Sequence, residues 1–144
     1  MIKNRANHVF RGAIAAIGLC ASAAGAGTEL PLERGFYVTA NTACSAASNA
    51  TLLLLQRDGI GGSQDFCTFD VITAESATRF HVIETCADMR DPAGGETFER
   101  VFEVTSRGAF RAERADGWVV EATYCPQSSL PEPWRSNDIV DLID

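Results

Sequence analysis

Phe66-Cys67-Thr68-Phe69-Asp70-Val71-Ile72-Thr73, followed after a short polar break by Arg79-Phe80-His81-Val82-Ile83-Glu84-Thr85-Cys86, decides the fold. β-Branched and aromatic residues dominate both runs, and apolar positions alternate with polar ones at a period of two. This is the pattern of two half-buried strands joined as a hairpin. Aligning Cys67 with Cys86 sets Phe69 opposite Glu84, Val71 opposite Val82 and Thr73 opposite Phe80. A slip of one residue would send the whole inward set to solvent, so the alignment is a strong constraint.

The pattern continues on the C-terminal side. A turn around Pro92 places Phe98 opposite Cys86, Arg100 opposite Glu84, Phe102 opposite Val82 and Val104 opposite Phe80. Ser106-Arg107-Gly108 and Ala115-Asp116-Gly117 end in glycine, as a three-residue hairpin loop with a left-handed third position requires. They set Val104 against Phe110, Phe102 against Ala112, Ala112 against Val120, and Phe110 against Ala122. A five-strand meander with one apolar face results. The runs 51–56 and 35–39 extend it, with the glycine-rich 58–63 segment read as a hairpin loop. The expected fold is all-β: a small antiparallel meander of about seven strands closing into a barrel or sandwich, the barrel preferred. Leu130-Pro131-Glu132-Pro133-Trp134 predicts an extended path. After it, Ser136 or Asn137 caps a short C-terminal helical turn carrying Ile139, Val140, Leu142 and Ile143.

Lys3, Arg5 and Arg11 precede an uncharged run from Gly12 to Ala24, and Ala24-Gly25-Ala26 fits an Ala-x-Ala cleavage site. Residues 1–26 therefore read as a cleaved signal peptide, and 27–144 as one secreted β domain with a C-terminal tail, 126–144. The apolar run is shorter than the roughly 20 residues that span a bilayer, and no later stretch replaces it. Periplasmic or extracellular residence without membrane insertion is the expectation. Cleavage removes three of the twelve cationic residues and none of the nineteen anionic ones, leaving a formal charge of −10. Nucleic acid and anionic lipid would be repelled, whereas a basic secreted protein would be attracted.

Four cysteines remain after cleavage, an even number for an oxidising compartment. Strand alternation puts Cys67 and Cys86 on the inner face as a direct cross-strand pair, which leaves Cys44 with Cys125. In the chain-entropy treatment, closing that loop of about eighty residues stabilises by roughly 4 kcal/mol. A zinc site is disfavoured, because no Cys-x-x-Cys occurs and His81 is the only histidine after residue 26. No cofactor is implied. Asp88, Asp91 and Glu96 match no calcium loop and read as solvated charge.

Two rows of side chains carry candidate chemistry. The inner row, Phe69, Glu84, Arg100, Arg114 and Trp118, breaks an otherwise apolar face. Glu84, Arg100, Arg114 and Trp118 form a candidate ligand-binding mouth for an anionic or carbonyl-bearing group, with a rim salt bridge as the plainer reading. The outer row, Ile72, His81, Glu103, Arg111 and Glu121, sets Glu103 between a histidine and an arginine. Such a trio suits ribonuclease-type transphosphorylation, with an ordinary cross-strand charge ladder as the preferred reading.

A signal peptide followed by a two-disulfide β domain resembles small bacterial envelope proteins, including periplasmic inhibitors of lysozymes and metalloproteases. The resemblance is one of plan and carries no diagnostic residues. The leading expectation is a non-enzymatic binding protein, in its most specific form an inhibitor of a hydrolase such as a lysozyme or protease. A small-ligand carrier and a ribonuclease-like hydrolase are the alternatives.

Overall fold

A computed structural model describes residues 29–39 and 41–144. The expected signal peptide, 1–26, lies outside the described residues. Eight strands follow one another: β1 (Gly35–Thr39), β2 (Leu52–Leu55), β3 (Gly59–Gly61), β4 (Asp65–Ala74), β5 (Arg79–Asp88), β6 (Asp91–Ser106), β7 (Ala109–Arg114) and β8 (Val119–Tyr124). Each pairs antiparallel with the next, and β1 also pairs with β8, so the sheet closes into a barrel. The eighth strand is β3, cut from the segment expected to be a loop. Ile60 pairs with Leu55 on one side and Cys67 on the other. Its glycines permit close approach: a Cβ on Gly59 would stand 2.2 Å from the Cys67 carbonyl oxygen, and one on Gly61 2.6 Å from that of Asp65.

Inside the barrel, Tyr37, Leu55, Ile60, Cys67, Phe80, Val82, Phe102 and Phe110 form one buried cluster. Segment 29–34 closes the lower end. Leu32 joins the core there, and the Tyr37 hydroxyl donates to the Glu33 carbonyl at 2.6 Å. The upper end, where β4, β6 and β8 begin, is open.

A second apolar cluster lies outside the wall. Phe36 and Val38 on β1 and Leu52 on β2 point away from the interior and are buried beneath Leu130, Ile139 and the Cys125 disulfide. The tail is therefore part of the domain. It is compact rather than extended, with 3₁₀ turns at Gln127–Ser129 and Trp134–Ser136 and a cis Glu132-Pro133 peptide. Gln127 ties the turns together by donating to the carbonyls of Trp134 and Asn137. A short helix, α1 (Val140–Ile143), ends the chain; neither Ser136 nor Asn137 caps it, its N-cap position is Ile139, and the Val140 N–H donates to the Asp138 carboxylate. Arg34 and Arg57 hold it by donating to the carbonyls of Ile143 and Asp144. Both disulfides pair as the strand alternation requires, Cys44 with Cys125 across 81 positions and Cys67 with Cys86 across 19.

Two registers and one turn differ from the sequence reading, while the expected β6–β7 and β7–β8 pairings hold. Asp70 forms a bulge in β4, so Ile72, not Val71, faces Val82 and packs on the core, while Val71 is exposed. The β5–β6 turn is Met89-Arg90 rather than a turn around Pro92. Together with a bulge in β6 between Asp91 and Glu96, this slides the main ladder by two residues, so Glu84 pairs with Phe98 and Val82 with Arg100. The Ser106–Gly108 hairpin turns on two residues with a bulge, and left-handed backbone occurs at Gly117, not Gly108. Gly59→Ala is expected to destabilise the fold by about 1–3 kcal/mol through overpacking against β4. Urea unfolding monitored by fluorescence checks this.

Candidate functional site

The inner row converges at the open end because β4 to β8 all pass the same level of the barrel. A shift of two residues preserves the face of a strand, so the β6 slide keeps Arg100 inward beside Glu84. Their side chains meet diagonally: Arg100 Nη2 lies 2.6 Å from Glu84 Oε1, with Glu84 fully buried and Arg100 nearly so. Glu84 Oε2 and Arg100 Nε have no hydrogen-bond partner among the described residues. Each such atom costs about 1–3 kcal/mol. Burial raises the Glu84 carboxyl above the ordinary 4.5, outweighing the pull of Arg100 and Arg114 in the other direction. Burial likewise lowers the Arg100 guanidinium, although Glu84 opposes that shift.

Above the pair, cations and rings alternate. The Arg100 guanidinium stands 5.8 Å from the Phe102 ring and 4.8 Å from the Trp118 ring. Arg114 stands 5.3 Å from Trp118 and 4.4 Å from Phe98. The Ala115-Asp116-Gly117 turn returns Asp116 to Arg114, at 2.6 and 3.3 Å from Nη2 and Nε. Hydrogen bonds from Arg114 hold the Asp116 carboxyl below its ordinary range. Trp118 is thus gripped by two guanidiniums yet remains 45% exposed.

Beside this ladder lies a cleft of about 670 Å³ whose lining includes Phe98, Arg100, Arg114, Trp118 and the Cys67–Cys86 disulfide. Its rim carries Asp65, Asp88 and Glu96. Asp88 is bound by Arg90, and Glu84 and Asp116 by the two ladder arginines. Asp65 and Glu96 form no ion pair among the described residues, so the rim carries surplus negative charge. Both ladder guanidiniums are already engaged by carboxylates. Cys67, Glu84 and Cys86 gather three donor atoms within 4.8 Å. The disulfide removes the thiolates through which cysteine holds zinc.

The outer row does not assemble as expected. The β4 bulge takes Ile72 to the inner face, and the β6 slide sets His81 opposite Val101. His81 meets Glu99 at 3.2 Å, whereas Glu103 pairs with Arg79 at 2.8 Å. A charge ladder of Arg79, Glu103, Arg111 and Glu121 takes the place of the histidine–glutamate–arginine trio. The sequence reading had the four mouth residues at one level but missed Phe98, Asp116 and Asp65. Arg114-Ala115-Asp116, with opposite charges two apart across a turn, was the available signal. No protein-family description, curated protein or solved structure matches this chain.

Glu84→Ala is expected to cost about 3–5 kcal/mol by leaving Arg100 buried without its partner, and the double variant Glu84→Leu/Arg100→Met to recover most of that. Because the folded carboxyl titrates above its unfolded value, its favourable contribution is present below pH 4.5 and is lost as pH rises through the folded value. Glu84→Gln should flatten this decline. Denaturation at a series of pH values checks both expectations.

Proposed function

We propose that this chain is a secreted or periplasmic, non-enzymatic binding protein whose open barrel end docks a basic partner protein. The class of partner that its charge suits is a secreted hydrolase such as a lysozyme or protease. The observation that carries this reading is Trp118: a large aromatic side chain, nearly half exposed and held by Arg100 and Arg114 beside an open cleft. Tryptophan and arginine are the residues that most often dominate binding energy, and an indole already ordered pays less entropy on docking. The negative rim and the charge of −10 expected after cleavage steer a cationic partner toward it. The tail, the other surface considered from sequence, is occupied with its own barrel wall. Two disulfides suit an oxidising compartment. Among the described residues no helix is long and apolar enough to cross a membrane.

The size of the cleft favours a second reading, carriage of a small ligand, since about 300–1,000 Å³ is usual for such sites. Quenching of Trp118 fluorescence by an anionic metabolite, lost in Arg100→Ala, distinguishes it.

Residues 27–144 are expected to bind at least one protein in a panel of basic lysozymes and secreted proteases, with affinity falling as salt rises. In calorimetry, Trp118→Ala should weaken the complex by about 2 kcal/mol or more. Val140→Ser, on the docked tail, should leave it unchanged. Absence of binding across the panel, with no enzyme inhibited, would overturn the proposal.

A further inference from the structure

β6 is sixteen residues long and its neighbour β7 only six. β7 covers β6 from Arg100 to Ser106, whereas the ladder with β5 continues to Glu96, breaks at a bulge over 92–95 and resumes only at Asp91 opposite Asp88. Residues 96–99 consequently pair on one side alone. Nearly all of this segment is exposed, and no backbone hydrogen bond from a loop closes over its other edge. Closure is how a barrel ordinarily removes strand edges, so an open edge over 96–99, flanked by a bulge, departs from the fold's own logic. The edge borders the candidate site, since Glu96, Phe98 and Arg100 line the cleft together with Trp118.

We infer that the free edge of β6, residues 96–99, receives an extended, basic segment of the partner protein as an added strand. This rests on the mouth being the docking surface and specifies how the partner engages it. Main-chain hydrogen bonds supply affinity in this mode, and alternate side chains supply specificity. One side of the added strand covers Phe98 and Trp118, and the other meets Glu99. The segment 91–99 carries Asp91, Glu96 and Glu99 and no cationic residue. That charge repels a second copy of the same edge and attracts lysine and arginine on an incoming strand. Pro92 offers no N–H, which confines pairing to positions beyond it.

Backbone hydrogen exchange of ¹⁵N-labelled protein, read with and without a capped Lys-Val-Lys-Val-Lys-Val-Lys-Val peptide, tests this directly. At ten times the peptide's dissociation constant, free-edge amides within 96–99 should exchange about tenfold more slowly. A peptide N-methylated at alternate residues should bind at least about tenfold more weakly, because it cannot complete the ladder, and a Glu-Val repeat should not bind. The inference is overturned if residues 96–99 gain no protection at millimolar peptide, or if N-methylation leaves binding intact. It is equally overturned if protection grows with protein concentration alone, which would assign the edge to a second copy. In each of these cases the mouth reading survives provided the basic partner protein still binds and still requires Trp118; failure of that binding removes the reading itself.

Discussion

A fully buried carboxylate holding a nearly buried guanidinium is the constraint on which the open end of this barrel depends. Glu84 lies within a wall of Val82, Phe102 and the Cys67–Cys86 disulfide, and its partner Arg100 cannot leave without stranding it. Such a pair is weak evidence for stability, because desolvating two ions offsets much of their attraction, and two polar atoms here go unpartnered. Its consequence is positional. The Arg100 and Arg114 guanidiniums both stand over the Trp118 ring, Arg114 is itself clamped by Asp116, and the indole packs on both cations while still facing water. An apolar pair at 84 and 100 would fill the same space and leave that indole without its support.

The remainder of the chain explains why this end is the one left open. Segment 29–34 fills the opposite end through Leu32 and the Tyr37 hydroxyl contact. The tail covers the β1–β2 wall, where Phe36, Val38 and Leu52 would otherwise expose apolar surface, and the Cys44–Cys125 disulfide anchors it beneath. Apolar surface at the lower end and on that wall is thereby covered, and the upper rim carries surplus negative charge.

Much of this was legible because side-chain parity in a strand tolerates even errors. Sliding β6 by two residues changed every partner across β5 and yet left Arg100 on the inner face, so the mouth row survived. The single-residue bulge at Asp70 was not forgiving: it exchanged Val71 and Ile72 between faces, and nothing in the alternation of 66–73 announces it beyond an aspartate in mid-strand. His81 and Glu103 were separated by the same β6 slide, because a contact between two particular side chains needs exact register where a face needs only parity. The strand at 59–61 was hidden by its glycines, which ordinarily signal a loop and here allow two backbones to approach. Both disulfides were readable, since cross-strand opposition and elimination leave one pairing.

Pre-ordering of Trp118 by the Glu84–Arg100 pair is the central claim, and the motion of its indole N–H measures it most directly. ¹⁵N relaxation of the Trp118 side chain in the free protein should give an order parameter near that of rigid backbone, about 0.85, falling below about 0.6 in Arg100→Leu. An indole already mobile in the native protein, or one equally rigid without Arg100, would contradict the account.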